Sequence, residues 1–309
     1  MPFKPIRWIK SGTKIDFVAK RWWAFGVTIA LMVVTLIALA VQGLNFGIDF
    51  KGGILLEAKA AHTIDIGALR GQLHGLGLGE VELQEFGSPT DVLIRVQRQE
   101  GGEAAQMAAV EKIRADLGPQ YEYRRVEVVG PTVGAELLRA GILATFCAIF
   151  AIALYVAFRF EWQFGAAAML ATLHDVFVTV GLFAVLQLDF NLTAVAALLT
   201  LAGYSVNDTV VVFDRIRETL RRHKNTDLRA VINDSVNQTL SRTLMTAGLT
   251  LLAMLPLALF GGQSLLNFSL ALIWGILVGT YSSIYVAAAL LLYMPPLRRM
   301  EPASASASR

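Results

Sequence analysis

Charged residues are scarce in this chain, and so are the residue types that build disulfide or metal sites. Only 17% of its 309 residues are Asp, Glu, Lys or Arg, whereas 55% are hydrophobic, and the mean hydropathy is positive. This composition excludes an ordinary soluble globular protein and predicts a membrane protein. A single cysteine, Cys147, excludes an internal disulfide framework. The histidines show no metal-ligand spacing and are scattered at His62, His74, His174 and His223.

Long runs without charge make up much of the chain. A helix needs about 20 apolar residues to cross about 30 Å of hydrocarbon, and several runs reach that length. Residues 243–297 carry no charge at all, which is too long for one helix, and the segment FGGQSLLN at 260–267 divides them. The predicted spans are 22–42, 140–158, 164–188, 192–213, 243–260 and 268–294. The predicted fold class is therefore a polytopic α-helical membrane protein with six transmembrane helices.

The first span follows a basic start and contains the small residues Ala38 and Ala40, as a cleavable signal peptide does. Its apolar region is longer than the roughly 7–15 residues usual for a signal, which favours a retained anchor.

Lys and Arg are concentrated on one side of the predicted spans. The short connections at 189–191 and 261–267 contain neither residue type. By the positive-inside rule, the N-terminal tail (1–21), the loop 214–242 and the C-terminal tail (298–309) are predicted to be cytoplasmic. The basic residues of the loop either set topology alone or also dock a partner. The residues that carry this asymmetry are Lys4, Arg7, Lys10, Lys14, Lys20, Arg21, Arg159, Arg215, Arg217, Arg221, Arg222, Lys224, Arg229, Arg242, Arg298, Arg299 and Arg309.

Residues 43–138 form the extramembrane segment that is large enough to fold alone, and they are predicted to be periplasmic. Strand-like patterns at 53–60, 80–87, 91–97 and 121–130 alternate with helical spacing at 64–77 and 103–118. The order β-α-β-β-α-β predicts a small α+β domain of the ferredoxin-like type. No nucleophile–base pair, glycine-rich phosphate loop or paired carboxylate set stands out in it. A binding or mechanical module is expected, without enzymatic activity, metal or cofactor.

Two polar pairs interrupt the apolar runs: His174 and Asp175 in the third span, and Asn207 and Asp208 in the fourth. A charge near the centre of a spanning helix costs about 2.5–3.5 kcal/mol on insertion scales, so it usually faces the bundle interior, a partner or water. Asp208 is either an interhelical hydrogen-bonding group, worth about 0.6 kcal/mol, or a carboxyl that takes and releases a proton. The insertion cost favours the proton carrier. For the His174–Asp175 pair, a packing role and a proton-coupling role both stay open. The two aspartates on neighbouring helices also suggest an intramembrane aspartyl protease, but the residues that flank Asp175 and Asp208 disfavour it.

Helical steps from Asp208 predict its surroundings. A small and polar stripe is expected to pack or hydrate rather than face acyl chains, and it comprises Asn207, Tyr204, Gly203 and Thr200. The apolar remainder comprises Val195, Leu198, Ala202, Val206 and Val210. In the last span, the small residues Gly275, Gly279, Ser282 and Ser283 indicate a close helix contact, either with a partner or within this chain.

Four motifs, in order along the chain, resemble the SecD/SecF family of bacterial protein-export proteins. They are FGIDFKGG (46–53), VGPTVGAEL (129–137), GYSVNDTVVVFDRIRE (203–218) and NQTLSRTLMT (237–246). The family belongs to the resistance-nodulation-division superfamily, in which two six-span halves assemble around polar membrane residues. The resemblance therefore implies a bacterial inner-membrane subunit that forms a heterodimer with SecD. It also implies contact with the SecYEG channel, the accessory subunit YajC, membrane lipid and unfolded secretory polypeptide, but not with nucleic acid.

The resemblance further implies that the proton-motive force drives export and release of the polypeptide. The resemblance matches Asp208 to the family's membrane aspartate and implies that Arg242 matters for coupling to proton flow. The residues themselves add Asn207, Asp175 and His174 to the predicted proton-coupling set, and the predicted structural motif residues are Asp49, Gly52, Gly53 and Gly203. From the residues alone, Gly52 and Gly53 predict only an exit turn between a helix and a strand. Arg242 alone predicts only a side chain that extends to the membrane surface.

Two other functions remain as alternatives. A subunit of a proton-coupled small-molecule exporter of the same superfamily is the first, although residues 43–138 are few for a drug-binding domain. A passive assembly scaffold is the second, and it predicts that Asp208 can be replaced at little cost.

Overall fold

The computed structural model describes residues 13–79, 81–222 and 226–295. Some basic residues of the tails and the loop lie outside these ranges, namely Lys4, Arg7, Lys10, Lys224, Arg298, Arg299 and Arg309, and so does His223. The elements, in chain order, are α1 (Arg21–Val41), α2 (Ile48–Lys51), β1 (Gly53–Ala60), α3 (Ile66–His74), β2 (Val81–Phe86), β3 (Ser88–Val96), α4 (Gly102–Leu117), β4 (Tyr121–Val129), α5 (Pro131–Arg159), α6 (Trp162–Leu186), α7 (Leu192–Arg222), α8 (Leu228–Phe260) and α9 (Gly262–Ser282). A π-helical turn (Ser283–Ala287) and further short helical turns extend α9 to Tyr293.

Six helices are long and apolar enough to cross a membrane, which confirms the predicted fold class: α1, α5, α6, α7, α8 and α9 with its extension. In α6, α7 and α9 more than half of the most apolar window is buried within the chain, whereas α1, α5 and α8 bury less than a fifth. The centre of the membrane domain is therefore built from α6, α7 and α9. The outer helices leave their apolar side chains for lipid or for another protein.

Helices α7 and α8 extend well beyond the apolar residues of their spans. Much of the segment 214–242, which the sequence analysis assigns to a loop, is therefore helical in the structure. The reason is an apolar stripe on each extension. Ile216 and Leu220 on α7 share a buried cluster with Val231, Ile232 and Val236 on α8. At the start of α8, the Asp227 side chain accepts a hydrogen bond from the backbone N–H of Arg229 and caps the helix.

The segment before α1 is held against the start of α8. The Asn233 side chain accepts a hydrogen bond from the backbone N–H of Val18 (3.0 Å) and donates one to Asp16 (2.8 Å). The Asn237 side chain bonds both the N–H and the carbonyl of Ile15 at 2.9 and 2.8 Å. A backbone hydrogen bond from Ala19 and the bond from Asn233 hold the pKa of Asp16 below its usual range. Asn237 begins the fourth motif, so one role of that motif is to hold this segment.

The α+β domain between α1 and α5 contains one four-stranded sheet of order β2-β3-β1-β4, in which all neighbours are antiparallel. The connectivity β-α-β-β-α-β agrees with the pattern predicted from the sequence. Ile54, Leu56 and Ile94 of the central strands are buried against Leu73 of α3 and Ile113 of α4. The helices thus cover one face of the sheet. The opposite face carries Glu57, Arg95 and Arg125 toward the membrane domain, where Asp189 and Asn191 lie.

Candidate functional site

The carboxylate of Asp175 joins the three inner helices at one point. It lies on α6 and is fully buried. Its Oδ2 accepts hydrogen bonds from Ser205 Oγ on α7 (2.5 Å) and from Ser282 Oγ on α9 (2.7 Å). Its Oδ1 lies 2.9 Å from Nδ1 of His174, which is also buried. A carboxylate that is removed from water is tolerated only when such groups satisfy it, so this geometry explains why Asp175 can lie inside the bundle.

Small residues on α9 allow this close approach. A Cβ added at Gly279 would lie 3.3 Å from the Cβ of Ser205 and 3.5 Å from Oδ2 of Asp175. A Cβ added at Gly275 would lie 2.5 Å from the side chain of Leu201. Of the two alternatives for this glycine pair, the structure places it in a contact within the chain, between α9 and α7.

Asp208 lies on α7, three residues beyond Ser205, and is also buried. Its Oδ2 has no hydrogen-bond partner, unlike the carboxylate of Asp175. Two consecutive residues of α8 lie beside this carboxyl: the side chain of Thr243, and Arg242, whose positive charge is close enough to interact with it. Next to it, Thr209 Oγ1 lies 2.9 Å from Ser283 Oγ, the first residue of the π-helical turn. Asp208 is therefore a buried acid at the contact between α7 and α8.

The structure brings some of the predicted coupling residues together and separates others. His174 and Asp175 are in contact, and Arg242 lies near Asp208 although its own side chain is exposed. Asn207 points away from Asp208 and is exposed, as are Gly203 and Thr200. Three of the four residues predicted to share the Asp208 face thus lie on the uncovered side of α7, whereas Tyr204, four residues before Asp208, is half-buried. The reason is geometric, because residue 207 is rotated by about 100° from residue 208 on a helix.

Three residues of the site were missed in the sequence analysis. Ser205 lies one helical turn before Asp208 on the same face, so a stricter count of helical steps identifies it. Ser282 was noted only as a small residue, and Thr243 was not noted. No local pattern indicates which hydroxyl on α8 or α9 faces an aspartate on another helix, because that depends on how the helices pack.

The motif FGIDFKGG forms the connection between the membrane domain and the α+β domain. Oδ2 of Asp49 accepts a hydrogen bond from the backbone N–H of Leu192 (2.8 Å), the first residue of α7. Gly52 and Gly53 have φ angles of 74° and 132°, and a Cβ on Gly53 would lie 2.7 Å from the carbonyl oxygen of Val96. These values fit the predicted exit turn. Through its hydrogen bond to Leu192, Asp49 connects this motif directly to α7, the helix that carries Asp208.

The turn between α6 and α7 is bound to this connection from the other side. The backbone N–H of Phe190 donates to the carbonyl of Asn45 (2.8 Å), and the N–H of Gly47 donates to the carbonyl of Phe190 (2.9 Å). Oδ1 of Asp189 accepts a hydrogen bond from the Asn45 side chain (3.0 Å), and Oδ2 forms an ion pair with Arg95 of β3. The α+β domain is therefore in direct polar contact with the helices that carry Asp175 and Asp208.

Comparisons with known proteins identify a family for this arrangement. Residues 109–296 match the family model described as "Protein export membrane protein SecD/SecF, C-terminal", and residues 37–64 match the one described as "SecD/SecF GG Motif". The chain is similar to the protein translocase subunit SecF of Rhodobacter capsulatus, with 43% identity over 304 residues, 94% of this chain and 91% of the relative. It is also similar to that of Magnetococcus marinus, with 46% identity over 302 residues, 96% of this chain and 97% of the relative.

Solved structures of longer proteins share the fold. The crystal structure of SecDF, a translocon-associated membrane protein from Thermus thermophilus, matches with a TM-score of 0.79 and 35% identity over 91% of this chain. SecDF in the super-membrane-facing form matches with a TM-score of 0.68 and 34% identity over 94% of this chain. The present chain spans 39% and 40% of the length of these two chains. The family models, the relatives and the fold agree, and the chain belongs to the SecD/SecF family of protein export membrane proteins.

Proposed function

We propose that the chain is a SecF-type subunit of the Sec protein translocase, which uses the proton-motive force, together with SecD, to promote translocation and release of secreted polypeptides. The observation that carries the proposal is the buried carboxylate of Asp208, whose Oδ2 has no hydrogen-bond partner. An acid held in this way has an unpaired oxygen that is available to a proton. The names of the full-length relatives, each a translocase subunit, support transport rather than catalysis.

Physical magnitudes are compatible with such coupling. A charge in the middle of a spanning helix costs about 2.5–3.5 kcal/mol, and protonation removes that charge. Each proton that crosses about 100 mV contributes about 2.3 kcal/mol from the electrical term. A two-state arrangement of helices with a gap of a few kcal/mol is therefore within reach of one or two protons. Asp208 lies at the contact of α7 with α8, where a change of charge alters the packing of two helices.

The other polar residues have distinct proposed roles. His174 and Asp175 form a buried pair, and the free Nε2 of His174 can pass a proton on. Arg242 supplies the positive charge that offsets an ionised Asp208. Asn207 lies on the uncovered side of α7, so its proposed role is at the contact with the partner subunit rather than beside Asp208.

The uncovered stripe of α7, defined by Thr200, Gly203 and Asn207, is the proposed contact with SecD. Its polar and small residues are exposed in the isolated chain although they belong to a predicted membrane span. The Thr200 hydroxyl already donates to the carbonyl of Ala196 (2.8 Å), so the Asn207 amide is the group that lipid cannot satisfy and a second set of helices can, and Gly203 allows those helices to approach closely. This chain spans 39% and 40% of the two matched SecDF chains, which leaves room in each of them for a second set of membrane helices. SecYEG and YajC belong to the same proposed assembly.

The proposed location is the bacterial inner membrane, with both termini in the cytoplasm and residues 43–138 in the periplasm. The distribution of Lys and Arg supports this orientation, because the turn between α6 and α7 has no basic residue whereas the α7–α8 extensions have several. A small-molecule exporter is not favoured, since the relatives that match over the whole chain are translocase subunits.

The test is export of a secretory precursor into inverted membrane vesicles, with and without a proton gradient. Asp208→Asn keeps the shape of the side chain but cannot carry the proton, so we expect it to abolish the stimulation by the gradient at matched subunit abundance. Asp214→Asn is the matched control, because Asp214 lies on the same helix but is exposed. Full stimulation in Asp208→Asn would leave the scaffold role as the better account.

A further inference from the structure

A cleft opens at the end of β4, where the α+β domain meets the start of α5. It has a volume of about 490 Å³. Its walls are residues 128–130 at the end of β4, Glu103 and Gln106 on α4, and Val133 and Leu137 on α5. We call it the β4 cleft. Of the residues of the site described above, Asp49 and Leu192 also line it.

Gln106 is the unusual residue of the β4 cleft. Its side chain is 1% exposed, and neither the Nε2 donor nor the Oε1 acceptor has a hydrogen-bond partner. Buried amides without partners are rare because each unmade hydrogen bond is costly. A side-chain amide presents one donor and one acceptor together, which matches the C=O and N–H of a peptide backbone. The cleft therefore holds a group that is suited to another polypeptide.

The strand beside Gln106 has one unpaired edge. In the described sheet, β4 pairs with β1 on one side and is the last strand on the other. Charged residues protect most of its length, at Glu122, Arg124, Arg125 and Glu127, but residues 128–130 are uncharged. The unprotected part of the edge is thus the part that lines the cleft. An extended chain can add to such an edge through backbone hydrogen bonds.

The charge of the β4 cleft selects among extended chains. Asp49, Glu103 and Glu127 line it, and no Lys or Arg is among the described residues of its wall. Glu127 is ion-paired with Arg125 and Asp49 accepts a hydrogen bond from the N–H of Leu192, so the charge offered to a guest is chiefly that of Glu103. Glu103 is exposed and lies in the first turn of α4. A basic side chain in the guest would complement this wall, and an acidic one would be repelled. Val133 and Leu137 offer apolar contact for a neighbouring side chain of the guest.

We propose that the β4 cleft binds an extended, basic segment of polypeptide, aligned with the free edge of β4 and hydrogen-bonded by Gln106. This inference rests on the proposed function, in which such a polypeptide is the exported chain. Gln106 bonds a peptide group of the guest, Glu103 pairs with a Lys or Arg side chain, and the α5 residues contact an apolar side chain.

The test uses the full-length chain in lipid nanodiscs and a short fluorescent peptide of alternating lysine and valine. Binding is followed by fluorescence anisotropy. We expect Gln106→Leu to weaken binding about tenfold while the melting temperature stays the same or rises, because the substitution removes an unsatisfied buried amide. Glu103→Lys acts on an exposed residue and should weaken binding to a similar extent. Glu111→Gln, on the exposed side of α4, is the matched control and should bind as the native protein does.

Two peptide controls test the mode of binding. A peptide with N-methylated backbone amides cannot pair with a strand edge, and a peptide with glutamate in place of lysine reverses the charge. Both should bind at least tenfold more weakly than the parent peptide. Equal binding of all three peptides, binding by Gln106→Leu and Glu103→Lys that is as tight as that of the native protein, or no binding of the parent peptide would overturn the proposal.

The export assay separates this proposal from the proposed function. If Asp208→Asn loses stimulation by the gradient but the peptide does not bind, the β4 cleft is not a polypeptide site and the proton-coupled role stands. If the peptide binds as expected but Asp208→Asn keeps full stimulation, the cleft is supported and proton coupling through Asp208 is not.

Discussion

Arg95 of β3 forms an ion pair with Asp189, which lies in the turn between the helices that carry Asp175 and Asp208. The two side chains are 15% and 13% exposed, so water screens the pair only weakly. Arg95 also contacts Glu82 at 3.3 Å, but that carboxylate is largely exposed. Glu82 lies on β2 of the same sheet, so of these two contacts the one through Asp189 links the α+β domain to the membrane helices, and it is also the more buried.

Removing this link should loosen the domain from the membrane helices. Asp189→Ala removes the buried partner of Arg95 and one acceptor of the Asn45 side chain, and it is expected to lower the free energy of local opening by about 2 kcal/mol. Hydrogen exchange at 43–53 and 187–192 measures this opening. Glu82→Ala is the control and should cost less than about 1 kcal/mol. Equal exchange rates in the two variants would show that Asp189 does not hold the α+β domain to the membrane helices.

The hydroxyls around Asp175 should contribute measurably to stability. Ser205→Ala removes one of the hydrogen bonds to the carboxylate and should cost about 1 kcal/mol. Asp175→Ala removes the acceptor that Ser205 and Ser282 share, and Ser282 keeps its bond to the Gly279 carbonyl, so the substitution should cost about 3 kcal/mol, chiefly at Ser205 and His174. Thermal unfolding in detergent is the measurement, with Thr200→Ala as a control at an exposed position of α7. A melting temperature of Asp175→Ala equal to that of the control would contradict this account.

Two glycines should respond differently to added bulk. Gly275→Ala places a Cβ against Leu201 and is expected to destabilise the isolated chain by about 1–3 kcal/mol. Gly203→Leu meets no described atom within 4 Å of the added Cβ, so the isolated chain should tolerate it. Its expected effect is instead weaker co-purification with SecD. If Gly203→Leu co-purifies as well as the native chain does, the stripe of Thr200, Gly203 and Asn207 is not the partner contact.

Acid should release the segment before α1. The folded-state pKa of Asp16 is lowered, chiefly by the hydrogen bond from the backbone N–H of Ala19 and then by that from Asn233. The carboxylate therefore favours the docked segment above its unfolded pKa, and this contribution is lost as the pH falls through the lower folded pKa. Exchange protection of residues 15–20 should decrease below about pH 4. Asp16→Asn should remove most of this pH dependence, and an unchanged dependence would assign it to another group.

Elements that depend on local composition were predictable from the sequence, whereas contacts that depend on packing were not. Charge-free runs are sufficient to predict six spans, and alternation of Val, Leu and Ile in the strands is sufficient to predict the α+β domain. The boundaries of α7 and α8 were harder to predict, because both helices continue past their apolar spans where Ile216 of α7 and Val236 of α8 join one buried cluster. The same limit applies to Asp208, whose α8 neighbour Thr243 lies far away in the sequence.

Two hydrogen bonds at Asp175, those from Ser205 and Ser282, link different helices and determine which parts of the membrane domain can move. Because one carboxylate holds α6, α7 and α9 together, these helices are expected to behave as a single rigid body. Helix α8 is the least buried of the six and meets that body beside Asp208. A change of charge at Asp208 would therefore produce a shear of α8 along α7, rather than a bend within the inner helices. The turn with Asp189 belongs to the rigid body, so the α+β domain would follow the inner helices and not α8.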